Sequence, residues 1–124
     1  MCMIDDGGDR YRYSQTKQPL ARKEHVCGEC GRQIAAGEHY EAFRGLLADF
    51  GWRTEQTCVH CVAAREWLTV NCGGFVFQGV QQDLEEHFES TAGSLWLGRA
   101  IIGMKRKWIG LSPLGQPPRI AREA

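Results

Sequence analysis

Between residues 39 and 57 the chain alternates. HYEAFR (39–44) and WRTEQT (52–57) alternate well enough to pair as strands, and Gly45 and Gly51 bracket the reversal between them. That period is the one a half-buried strand requires, so the two segments are predicted to pair as an antiparallel hairpin. From the second cysteine pair onward the period lengthens. Val59, Val62, Ala63, Trp67 and Val70 fall on one face at spacings of three and four, with Arg65, Glu66 and Thr69 opposite, which predicts an amphipathic helix. Thr57 is the expected N-cap and Asn71-Cys72-Gly73-Gly74 the expected stop. A second helix is predicted from about Phe75 to Glu89, with Phe77, Val80, Leu84 and Phe88 along one stripe. A third is predicted from about Ser94 to Ile109, with Leu97, Ile101, Met104 and Trp108 on one face.

The flanks lack such patterning. Residues 1–24 carry Gly7, Gly8, Pro19 and mixed charge with little periodicity, and read as an irregular N-terminal arm. Residues 111–124 hold three of the four prolines and read as a flexible tail. The expected organisation is therefore one domain over residues 25–110, a module at 25–71 followed by a two-helix extension at 75–110. The class is α+β. At 124 residues and 43% apolar composition the chain has the material for one core, but a piece as short as residues 27–70 is marginal alone and needs a staple.

Charge narrows the partners. Fifteen basic and fifteen acidic side chains cancel, which argues against a general nucleic-acid coat, because non-specific affinity grows with the number of phosphates neutralised. The distribution is uneven: Asp83, Glu85, Glu86 and Glu89 form an acidic segment, and Arg99, Lys105, Arg106, Lys107, Arg119 and Arg122 make the last quarter basic. The start, MCMIDDGGDR, lacks the apolar run of a signal peptide, and no apolar stretch reaches membrane-spanning length. The expected compartment is the cytoplasm, where six cysteines read as metal ligands before disulfides.

Four of those cysteines are doubly paired. Cys27 and Cys30, then Cys58 and Cys61, form two C-x2-C units 27 residues apart. Two intervening residues let a tight turn aim both sulfurs at one ion, and zinc takes four such ligands in a closed tetrahedron. Gly28 and Gly31 suit the backbone of that turn. One structural zinc ion, held by Cys27, Cys30, Cys58 and Cys61, is the expected cofactor. The double negative charge of four thiolates on zinc is offset by the positive end of the helix at Cys58 and by Arg32 or Arg65. His25 and His60 lie beside the ligands but read as ordinary histidines, since four cysteines already close the site. Cys72 reads as a free, buried small hydrophobe, and Cys2 as incidental.

Cys27-Gly28-Glu29-Cys30-Gly31-Arg32, Ile34, Gly37-Glu38, Tyr40 and the helix-opening Cys58-Val59-His60-Cys61 run in the order knuckle, hairpin, helix. Over residues 25–71 this resembles the treble-clef zinc finger. The resemblance implies the fold and the metal; it does not imply an activity, because treble clefs host nucleases, transcription factors and protein-binding modules alike. The whole chain is also similar, through the WL…C-G-G-F…DLEEH and GMKRKW stretches, to small zinc-finger proteins of temperate phages. That likeness implies a regulatory protein interfering with a host system, in the host-cell cytoplasm.

Three surfaces are candidates for function. In the turn 45-GLLADFG-51, Leu46, Leu47 and Phe50 are unusually apolar for a loop and fit a protein partner, provided they do not fold back into the core. Arg99, Lys105, Arg106 and Lys107 with Trp108 fit a nucleic acid, against the plainer reading of a solvated helix end with Trp108 in the core. The acidic face around Glu85 and His87 reads as a polar helix face. His39 and His60 are the only counterparts of the histidines of treble-clef nucleases, and no other constellation meets the needs of acid–base catalysis. The sequence thus reads as a non-catalytic, zinc-stabilised accessory protein that binds a protein partner, with a nucleic-acid-binding regulator as the alternative. A homo-oligomer is compatible with it, and no membrane partner is expected.

Overall fold

The computed structural model describes residues 11–47, 50–90, 94–111, 114, 115 and 117. Five strands precede three helices: β1 (Tyr11–Lys17), β2 (His25–Val26), β3 (Gln33–Ile34), β4 (Tyr40–Leu47), β5 (Gly51–Cys58), α1 (Val59–Cys72), α2 (Val80–Ser90) and α3 (Leu95–Lys105). The result is a mixed α/β protein with two antiparallel sheets. One has three strands in the order β1-β4-β5, and the other is the small β2-β3 ladder.

The predicted hairpin is β4 and β5, in register from Tyr40 opposite Cys58 to Leu47 opposite Gly51. Gly51 occupies the left-handed region (φ 79°), which side chains other than glycine rarely adopt. Of the irregular arm expected over residues 1–24, residues 1–10 lie outside the described residues, and the rest is corrected by β1, which pairs antiparallel with β4 from Tyr11 opposite Leu47 to Lys17 opposite Ala42. Residues 19–21 then tie into the module. Pro19 O accepts from Tyr40 N (3.2 Å), and Ala21 exchanges backbone bonds with Gly37 and Glu38 (both 2.8 Å). Strand β1 earns its conformation from pairing with a segment some thirty residues away, which local periodicity does not report.

Helix α1 begins one residue later than the expected cap. Cys58 is its N-cap, with extended backbone and no side-chain capping bond, and Gly73 ends it in the left-handed conformation with its N–H on Thr69 O. The second helix is shorter than predicted: residues 75–79 are not helical, and Gln78 has a φ of 67°. The third starts as predicted, with the Ser94 hydroxyl accepting from Leu97 N (3.5 Å), but stops at Lys105 instead of Ile109. Ile34, Trp67, Leu68, Val80, Leu84, Leu97, Ala100 and Met104 form the buried core between the module and α2–α3. Most of the expected tail lies outside the described residues; within it, Leu114 packs against the core and Gly115 O accepts from Trp96 Nε1 (3.3 Å). Among the described residues no helix is long and apolar enough to cross a membrane.

Candidate metal centre

Cys27 and Cys30 sit on the turn between β2 and β3. The turn is closed by Cys27 N on Arg32 O (2.8 Å) and Gly31 N on Cys27 O (2.9 Å), and it requires a left-handed Gly31 (φ 77°). Gly28 places the turn against β5: its N–H donates to Gln56 O (2.8 Å), and a Cβ there would crowd Glu55 Oε1 at 3.2 Å. Cys58 ends β5 and Cys61 lies in the first turn of α1, so strand and helix deliver the second pair without an intervening loop.

The four sulfurs all lie within 4.8 Å of one another. Cys30 Sγ and Cys58 Sγ are 3.9 Å apart, against about 3.8 Å for two sulfurs on a tetrahedral ion with bonds of about 2.3 Å. Cys27, Cys58 and Cys61 are buried and Cys30 is half-buried. All four are free of disulfides. Three of them already accept N–H bonds: Cys27 from Cys58 N (3.4 Å), Cys30 from Arg32 N (3.3 Å) and Cys61 from the Trp108 indole (3.3 Å). Donors aimed at sulfur stabilise thiolate, the form that binds metal. The donor set therefore fits a metal ion, and a four-sulfur set closes the coordination of a structural one.

Without an ion the thiols share their protons. Hydrogen bonding from Cys30, then from Cys58 and Cys61, holds the Cys27 thiol far below its ordinary range. Bonding to Cys27 in turn pushes Cys58 and Cys61 upward. Against an opposing effect of Cys27, bonding from Cys58 and Cys61 lowers Cys30 as well, so negative charge collects on the first cysteine pair. Arg32 is placed to offset it: burial opposes its charge, but the 2.7 Å bond to Glu38 and the neighbouring Cys58 and Cys30 sulfurs together hold the guanidinium above its usual value. Arg65, the other expected counter-charge, is committed to the sheet. It pairs with Glu41, lies over the Phe75 ring (4.1 Å) and is lowered to about 10 by burial.

Around the cluster the two histidines stay outside the sulfur group, as read from the sequence, and one reading is corrected. His60 is 9% exposed, stacks on Trp108 (5.2 Å, 16°) and has no hydrogen-bond partner at Nδ1 among the described residues. His25 bonds Gln56 Nε2 (3.0 Å) and stacks on Tyr40 (4.8 Å); neither histidine belongs to the sulfur group. Cys72 is joined in a disulfide, so its reading as a free thiol is corrected. Cys2 lies outside the described residues.

Trp108 is the contact that sequence reasoning missed. The 3.6-residue stripe places it in the core, where it is, but on a helix continuing to Ile109, whereas α3 ends at Lys105. Instead Lys107 and Trp108 both adopt left-handed backbone (φ 53° and 60°), and Trp108 N bonds Gly103 O (2.8 Å). The turn swings the indole back over Cys61 and leaves Ile109 79% exposed. Of the basic candidates, Lys105 pairs with Glu85 (3.2 Å), Arg99 and Arg106 are exposed, and Lys107 lies over Gly31. Trp108, 4% exposed, is not available to stack on a base. In the hairpin turn Phe50 is 72% exposed, while Leu46 and Leu47 are half-buried. His39 bonds Gln18 O through Nδ1 (3.3 Å) at the surface. No protein family, curated protein or solved structure matches the chain.

Proposed function

We propose that the ion is zinc, that the module is a treble clef, and that the protein is a non-catalytic accessory protein acting on a protein partner through the end of its hairpin. Zinc is the ion whose preferred geometry and soft ligands correspond to four closely packed cysteines. The order of β2, knuckle, β3, the β4–β5 hairpin and α1 supports the treble-clef assignment. Once four protein sulfurs hold the ion, no coordination position is left for substrate.

The observation that carries the binding reading is Phe50. Phe50 is 72% exposed at the tip of a hairpin of two eight-residue strands, and apolar groups left in water mark surfaces that become covered. Covering its ring contributes about 1.5–3 kcal/mol. Phe50→Ser is expected to weaken capture of a partner from cell lysate by ten-fold or more, with zinc content and melting temperature unchanged. Unchanged capture, measured after nuclease treatment, sinks the reading. Interference with a host system is the form this binding takes if the chain is phage-encoded.

A further inference from the structure

We propose that the outward face of the three-stranded sheet, at the end away from the cysteines, binds single-stranded nucleic acid, with bases stacking on Tyr13 and Trp52 and phosphates drawn to Arg44 and Lys17. The surface is built by register. Tyr13 and Trp52 both lie opposite Leu46, Gln15 and Thr54 both lie opposite Arg44, and Lys17 lies opposite Ala42. Strand alternation puts these side chains on one face. The rings of Tyr13 and Trp52 meet edge to face at 5.9 Å and are about half exposed, at 49% and 52%. The Arg44 guanidinium lies 4.2 Å over the Trp52 ring.

The opposite face has a different occupant. Phe43 packs on Phe77 (4.8 Å), Glu41 pairs with Arg65, and Glu55 bonds Arg53 (3.1 Å) and Gln78 (3.4 Å). Both carboxylates of the three strands, Glu41 and Glu55, are therefore spent on the covered side. Beside its aromatic rings stand cations, the only charged side chains on the outward face of the described strands. Neither Arg44 nor Lys17 has a carboxylate partner among the described residues.

That combination selects its ligand. Phosphate complements the cations, and the rings ask for a flat π-face, which a base supplies and an acidic peptide does not. A duplex hides its base faces, so the ligand is single-stranded. The zero net charge sets the scale: two cations neutralise two phosphates, giving modest affinity with a shallow salt dependence, a log–log slope of about −1.4. Arg44 turns from ring to phosphate as a base takes its place on Trp52. This surface adjoins the apolar tip at Leu46 but does not use Phe50, and the inference does not rest on the protein-partner reading.

Anisotropy titrations of labelled single-stranded DNA and RNA, about 12 nucleotides long, test it on the zinc-loaded full chain. Binding at micromolar concentration in about 50 mM salt, with the slope above, is expected. Trp52→Ala is expected to weaken it about ten-fold or more, Trp52→Phe to retain most of it, and Phe50→Ser to leave it unchanged. Because Trp52→Ala removes a sheet contact, Thr54→Glu serves as the second variant. It sets a carboxylate opposite Arg44 without removing packing, and is expected to weaken binding and flatten the slope while circular dichroism and zinc content stay constant. The inference is overturned by no binding at about 100 μM protein in that low-salt buffer, by equal affinity for duplex, or by binding indifferent to both variants. Loss of a nuclease-resistant protein partner in Trp52→Ala, without any oligonucleotide binding, assigns the face to a protein and overturns it as well.

Discussion

A Cβ at position 103 would overlap the six-membered ring of Trp108. Gly103 is therefore not a weak spot in α3 but the space into which the indole turns after two left-handed residues. Gly103→Ala is expected to cost about 1–3 kcal/mol of stability, as overpacking does, read as a lowered denaturation midpoint. Trp108→Phe keeps most of the ring and removes the N–H on Cys61 Sγ. Its expected effect is a 10- to 100-fold loss of metal affinity, measured by competition with a chelator, at nearly constant metal-loaded helix content. If affinity is unchanged, the indole is packing alone.

At the scale of elements, what was legible in the sequence was local. Alternation over 39–44 and 52–57 marked the hairpin, and apolar spacing and Gly73 marked α1 and its end. The predicted stripe misplaced the buried face, however: Val59 is 41% exposed, while Arg65, expected on the opposite side, is buried with Cys61, Ala64 and Leu68. The four ligands were legible too, because C-x2-C spacing is itself a local geometry. What escaped was set by distant partners. YRYSQTK becomes a strand only beside β4. The Phe75–Gly79 segment has the apolar stripe of a helix, yet Phe77 is taken by Phe43 and Phe75 (4.8 and 5.1 Å), and Gln78 N is taken by Glu29 Oε2 (2.8 Å). Glu29 stands on the knuckle itself, where burial raises its carboxyl above the ordinary range. That bond joins the metal-binding turn to the start of α2. Glu29→Ala is expected to cost about 1–3 kcal/mol, seen as a lower urea midpoint with all four sulfurs still able to load zinc.

The whole molecule is held at one point. The β2–β3 knuckle, the end of β5, the first turn of α1 and the turn after α3 meet at the four sulfurs. Binding of a structural zinc ion supplies on the order of 10 kcal/mol or more of folding free energy, which is comparable with the entire stability of a domain this size. Cys58→Ser, or exhaustive chelation, is therefore expected to unfold residues 27–70 and to loosen α2–α3 with them, visible as lost near-ultraviolet circular dichroism and one zinc per chain released. A metal-free chain that melts cooperatively at the same temperature contradicts the assignment.

The indole bond to Cys61 spans 47 positions of sequence, and this has a consequence for synthesis. All four ligands have been made by residue 61, but the donor that seats on the last sulfur arrives only with residue 108. If the proposed zinc ion loads during synthesis, a nascent chain passes through a long interval in which the site lacks the indole donor, before the closing turn supplies it. Chains arrested at residue 105 are expected to surrender zinc to a chelator faster than chains arrested well past residue 108. The timing of metal retention is written into the distance between a cysteine and a tryptophan.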